Sequence, residues 1–171
     1  MVNVVVIDTG ICPEHNVFKN KRIQMLEYSR GKIHKGGYDN FGHGTAVSGI
    51  IAKNEEIFIT SIKINGIENK ANEDDLIYVL EYISQNIKAD IINMSFGINV
   101  LEKKERLYSI CEYLKNTGTV IVSAFDNTGT FSYPASFENV IGVISSESCR
   151  NINDIIYIND RIVNIAVQKS L

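Results

Sequence analysis

Val2-Asn3-Val4-Val5-Val6-Ile7, followed at once by Asp8-Thr9-Gly10, sets the frame for the rest of the chain. Six mostly β-branched residues, all but one apolar, predict a strand buried on both faces, and the polar triplet predicts the turn that ends it. The pattern recurs downstream. Lys21 to Tyr28 reads as a second, weaker strand, and Gly31 to Gly44 as a glycine-rich loop. His43 to Lys53 reads as a helix with Ala46, Val47, Ile50 and Ile51 on its apolar face. Ile57 to Ile64 is a strand. Asn72 suits the cap of a helix whose first turn holds Glu73, Asp74 and Asp75, and Leu76, Val79, Leu80, Ile83 and Ile87 follow along one face. Ala89 to Met94 is another buried strand, and Leu101 to Asn116 is a charged amphipathic helix that Gly118 can terminate. Thr119 to Ala124 and Val140 to Ser145 complete the strands.

Strands alternating with crossovers long enough for helices predict an α/β fold, a three-layer arrangement of a parallel sheet with helices on both faces. The 171 residues suffice for one sizeable core, so residues 1–171 are read as a single domain. With 44% apolar and 22% charged residues the composition is that of a globular protein. Lys and Arg number 17 against 20 Asp and Glu, for a net charge of -3, and no basic cluster stands out. Nucleic acid is therefore not an expected partner. Nor is a membrane, since no apolar run nears the roughly 20 residues that a span needs. The cysteines, Cys12, Cys111 and Cys149, are three in number, far apart and without a CxxC pair. That pattern predicts free thiols in a reducing compartment. Met1-Val2-Asn3 leads straight into the strand with no basic segment or cleavage site, so the expected location is cytoplasmic.

Ligand sites in parallel sheets lie at the carboxyl ends of strands, which singles out Asp8, Ser95 and the Asp126-Asn127 pair. His43 opens a helix, where the dipole disfavours an imidazolium and suits a neutral base. On pattern alone the bland readings stand beside these: Asp8 and Asn127 as turn residues, Ser95 as a cap, His43 as a structural histidine.

The wording of the motifs goes further. Val5-Val6-Ile7-Asp8-Thr9-Gly10-Ile11 resembles the strand and turn that carry the catalytic aspartate of subtilisin-like serine peptidases. Asp39-Asn40-Phe41-Gly42-His43-Gly44-Thr45-Ala46-Val47-Ser48-Gly49 resembles that family's histidine motif almost letter for letter. Ala89 to Gly97, ending Asn93-Met94-Ser95-Phe96-Gly97, is similar to the segment that pairs with substrate backbone. Val120 to Ala124, then Asn127 and Gly129, resembles the stretch that holds the oxyanion asparagine, and Tyr133-Pro134-Ala135 with Asn139 to Val143 resembles the next strand. The resemblance spans nearly all of residues 2 to 145 and implies a subtilisin-like fold and serine endopeptidase chemistry. By that resemblance Asp8 orients the imidazole, His43 moves the nucleophile's proton, and Asn127 donates to the oxyanion. Ser95, Phe96 and Gly97 would then offer a strand edge to an extended peptide or protein substrate.

The departures matter equally. The family's serine should follow in a Gly-Thr-Ser-x-Ala motif, and none occurs in this sequence, although Arg161 to Val167 resembles the strand that precedes it. The domain is thus expected to be C-terminally incomplete and inactive alone. Two alternatives are a non-catalytic peptide-binding relative and a half-domain completed by a second chain. The incomplete core predicts exposed apolar surface and self-association. Asp126 stands where the family usually has glycine; turned toward the side-chain pocket, it would favour a basic residue in the substrate. The Ala52 to Phe58 stretch is short where many members carry a calcium loop, so no metal and no cofactor are expected.

Overall fold

Strand β1 (Val2–Asp8) is buried without a break from Val4 to Asp8, as a strand flanked on both sides and covered on both faces must be. The computed structural model describes residues 1–54, 56–64, 72–126, 131–151, 154–158 and 165–167, which fall in two compact units, Met1–Asn93 and Met94–Leu171.

In the first unit β2 (Arg22–Ser29), β3 (Lys32–Lys35), β4 (Ile57–Ile64) and β5 (Ile91–Met94) join β1 in the order β3-β2-β4-β1-β5. β4 runs parallel to β1 on one side and to β2 on the other. Register and the two-residue alternation of strands then sort the core. Val4 stands beside Ile59, and Ile23 beside Ile59, on one face. These join Val6, Ile11, Phe18 and Ala52 in a cluster against which Val47 and Ile51 of helix α1 (His43–Ile51) pack. Ile7 and Leu26 flank Ile62 on the other face, where the Tyr28 ring lies 5.2 Å from that of Tyr78 in helix α2 (Glu73–Asn86). Helices therefore cover both faces of this sheet. Each fully buried valine or isoleucine of β1 contributes about 1.5–3 kcal/mol of transfer free energy.

The second unit holds helix α3 (Lys104–Asn116) and strands β6 (Val120–Ala124), β7 (Ile141–Ser145), β8 (Ile155–Tyr157) and β9 (Ile165–Val167), ordered β6-β7-β9-β8. β6, β7 and β9 are parallel, and β8 returns antiparallel on β9. α3 buries Leu107, Cys111 and Leu114. Burial pushes the Cys111 thiol up to about 12, and all three cysteines are free. Among the described residues no helix is long and apolar enough to cross a membrane, and no three His, Cys, Asp or Glu side chains gather as metal ligands.

Several elements differ from their sequence readings. The glycine-rich loop contains β3, because Arg30 and Gly31 both take positive φ and form a two-residue turn that folds the chain back on β2. The packed face of α1 is Gly44, Val47, Ser48, Ile51 and Ala52, whereas Ile50 is 65% exposed. Small residues let the helix approach closely: a Cβ on Gly49 would meet Val17 at 3.3 Å. Thr60, Ser61 and Lys63 of β4 are all buried, because β4 is an interior strand. Asn72 caps α2 as read, its Oδ1 accepting the Asp75 N–H at 2.9 Å.

The tightest approach joins the start of α1 to the end of β1. A Cβ on Gly44 would collide with the carbonyl oxygen of Gly10. Gly44→Ala is expected to lower stability by at least about 2 kcal/mol, since backbone cannot yield as a side chain can. An unchanged urea midpoint would refute that close approach.

Candidate active site

Asp8 is the last residue of β1, and His43 is the first of α1. The residue between loop and helix, Gly42, takes φ 91, a value that lets the chain turn sharply into the helix and costs glycine nothing. His43 Nδ1 and Asp8 Oδ1 are 2.7 Å apart. The acid is sunk, its side chain 3% exposed, while the imidazole is 56% exposed. With Nδ1–H donating to Asp8, the lone pair falls on Nε2, the arrangement a general base requires. Asp8 Oδ1 also accepts the Thr9 N–H at 2.7 Å, whereas Oδ2 is buried with no hydrogen-bond partner among the described residues.

Around this pair lies a polar network whose centre sequence reasoning passed over. Asp39 Oδ1 accepts from the Thr9 hydroxyl and from the N–H groups of Phe41 and Gly42, each at 2.9 Å. Its Oδ2 accepts from the Thr45 N–H at 2.8 Å and the Thr45 hydroxyl at 2.6 Å. Burial alone would raise the pKa of this carboxyl, but the Thr45, Gly42 and Phe41 donors outweigh it and hold the value down at about 2. The signal was present in the spacing: an aspartate accepting N–H groups two and three residues on is a turn-forming use of that side chain. Beneath the loop, buried Lys63 donates through Nζ to the Tyr38 carbonyl at 2.7 Å.

In the second unit, Ser95, Phe96 and Gly97 follow β5 as a half-buried segment. The next residue is fixed by two bonds, Ile98 N–H to the Tyr133 carbonyl and Tyr133 N–H to the Ile98 carbonyl, both 2.9 Å. A Cβ on Gly97 would run into buried Ser132, whose hydroxyl accepts the Asp126 N–H at 3.1 Å. Asp126, a half-buried residue past the end of β6, has Oδ2 3.4 Å from Asn99 Nδ2. Ser132 and Asn99 were not singled out in the sequence. Asn127, read as the oxyanion donor, and Gly129 lie outside the described residues.

In sequence and in fold the chain is similar to known proteins. The subtilase family profile matches residues 1–163. The major intracellular serine protease of Bacillus subtilis is 30% identical over 96% of this chain and 57% of its own length. Subtilisin DY of Bacillus licheniformis is 26% identical over 88% of this chain and 58% of its own. The chain thus spans little more than half of these relatives. In three dimensions it is similar to the psychrophilic subtilisin-like protease of an Antarctic Pseudoalteromonas, with a TM-score of 0.73 and 21% identity over 98% of this chain and 41% of that one. The fold is accordingly subtilisin-like and C-terminally incomplete beside those proteins, and the chain belongs to the subtilase family.

Proposed function

We propose that this chain supplies the acid–base part of a subtilisin-type serine endopeptidase and does not hydrolyse peptides by itself. The observation that carries the reading is the buried Asp8 carboxylate 2.7 Å from an imidazole that is itself more than half exposed. In this reading His43 Nε2 takes the proton of an attacking serine hydroxyl and returns it to the leaving amine, while Asp8 holds the tautomer and stabilises the imidazolium. The nucleophile is absent from the 171 residues, which contain no Gly-Thr-Ser-x-Ala motif. Asn127 would donate to the oxyanion, and Ser95 to Gly97 would pair with an extended peptide. Three unpaired thiols support a reducing, cytoplasmic setting.

The 171-residue chain is expected to show no peptide hydrolysis above solvent. Supplied with the serine-bearing part of a subtilase domain, by fusion or as a second chain, it should gain activity. His43→Ala should then lower kcat by about 10⁶. Asn127→Leu should cost about 10²–10³, as loss of that donor does in subtilisin itself. Hydrolysis by the unassisted chain, or indifference to His43→Ala, would sink the reading. Saturable peptide binding with no turnover in the completed form would point instead to a binding module.

Asp126 is proposed to select a basic side chain before the scissile bond, supported by its place in the segment that follows β6. In the completed enzyme Asp126→Gly should lower kcat/KM for Lys or Arg at that position by about tenfold relative to Leu, the size of one partly shielded ion pair. Equal preference in both proteins removes the idea.

The exposed apolar groups Ile50 (65%), Ile155 (70%) and Tyr157 (74%) support self-association of the chain on its own. Sedimentation at tens of micromolar is expected to show oligomers; a monomer with one sharp melting transition would contradict this.

A further inference from the structure

We propose that Asp39 is a positioning residue for the Asp8–His43 pair, acting through Thr9 and Thr45. The pair spans two elements, a strand end and a helix start, and each needs its own anchor. Asp8 is not locked by its own donors: one carboxylate oxygen is shared by Thr9 N–H and His43, and the other has no partner among the described residues. Its distance from the imidazole therefore follows from how the two backbones are held against each other.

Asp39 holds both. Its Oδ1 reaches the turn after Asp8 through the Thr9 hydroxyl, and the same hydroxyl accepts the N–H of Gly44, the residue after His43. Its Oδ2 takes both donors of Thr45 in the first turn of α1, and the Thr45 hydroxyl in turn accepts the Cys12 N–H at 3.0 Å. The Phe41 and Gly42 donors tie down the approach to His43 itself. One carboxylate thus sets the strand end, the loop and the helix start in a single frame.

The frame is itself pinned. Residues 37–39 lie along the chain after β1, with Ile11 N–H on the Gly37 carbonyl at 3.1 Å and Asp39 N–H on the Ile11 carbonyl at 3.2 Å. Lys63, the in-register neighbour of Asp8 on β4, secures the Tyr38 carbonyl one residue before Asp39. Asp39 is 6% exposed. A buried carboxylate with five donors cannot swing without leaving several unpaired, so the frame is stiff.

This deepens the reading of Asp8 and His43 as the acid–base pair and rests on it, so the test reads the imidazole and not hydrolysis. The full chain, labelled with ¹⁵N-histidine, is examined by magic-angle-spinning NMR at a pH where the imidazoles are neutral, a measurement indifferent to assembly state. Its three histidines, His15, His34 and His43, are separated by the signal lost in His43→Gln. In the unaltered chain His43 should be almost wholly the Nδ1–H tautomer. Asp39→Asn, and the uncharged Thr9→Val, should raise the Nε2–H to Nδ1–H ratio at His43 at least about tenfold, the factor that a weakened charge-assisted bond corresponds to. His15 and His34 should not change, and Thr9→Ser, which keeps the hydroxyl, should restore the starting ratio.

Thr9→Val removes no charge and little volume, so it decides the matter even where Asp39→Asn fails to fold. An unchanged His43 ratio in folded Thr9→Val overturns the positioning role while leaving the pair intact. A mixed tautomer already present in the unaltered chain overturns the pair, and the proposal with it.

Discussion

Helix α1 begins against the backbone of the turn that ends β1, and Gly44 has no room there for a Cβ, which would collide with the Gly10 carbonyl oxygen. That approach is the constraint on which the site depends. It places a residue at the end of a buried parallel strand within hydrogen-bond reach of the first residue of a helix, though they are 35 positions apart in the chain. The strand end buries the Asp8 carboxylate, whereas the helix start leaves the His43 imidazole 56% exposed. An acid–base pair needs this asymmetry, because a carboxylate is costly to bury without a partner whereas a base must reach its reactant.

Much of this was legible in the residues. β1 and its terminal Asp8 follow from apolar continuity broken by a polar triplet, and Asn72 with three acids behind it announces α2. The histidine motif, quoted from Asp39 to Gly49, even contains the residue that organises the loop. What pattern reading missed was Asp39's partners, which come from opposite directions: Thr9 is thirty positions earlier and Thr45 six later. Spacing along one element cannot reveal a hydrogen-bond centre shared by three. β3 escaped for a related reason, since its turn relies on Arg30 in a positive-φ conformation that asparagine would have advertised and arginine does not.

The face of α1 shows how periodicity misleads at a close contact. Ala46 and Ile50 satisfy helical spacing with Val47 and Ile51, yet the buried side is built from Gly44, Ser48 and Gly49. Where a helix lies tight against a strand end, small residues win over large apolar ones, because even a Cβ on Gly44 would collide with the Gly10 backbone. Hydrophobicity then appears on the outer side, at Ile50, and at β8 in the second unit.

The division of labour within the chain sharpens what this part of a subtilase can do. Asp8, Asp39, His43, Thr9, Thr45 and Lys63 all belong to the first unit, so the hydrogen bonds described between them lie within Met1–Asn93. The hydrogen bond described for the imidazole, between Nδ1 and Asp8 Oδ1, is made on the side away from Nε2. In the proposed reading, a general base held in this way lowers the barrier only once a hydroxyl is brought to it, since its proton transfer belongs to the transition state and not to the resting pair. An Asp8–His43 pair held in this way and the lack of a Gly-Thr-Ser-x-Ala motif are therefore compatible within one chain.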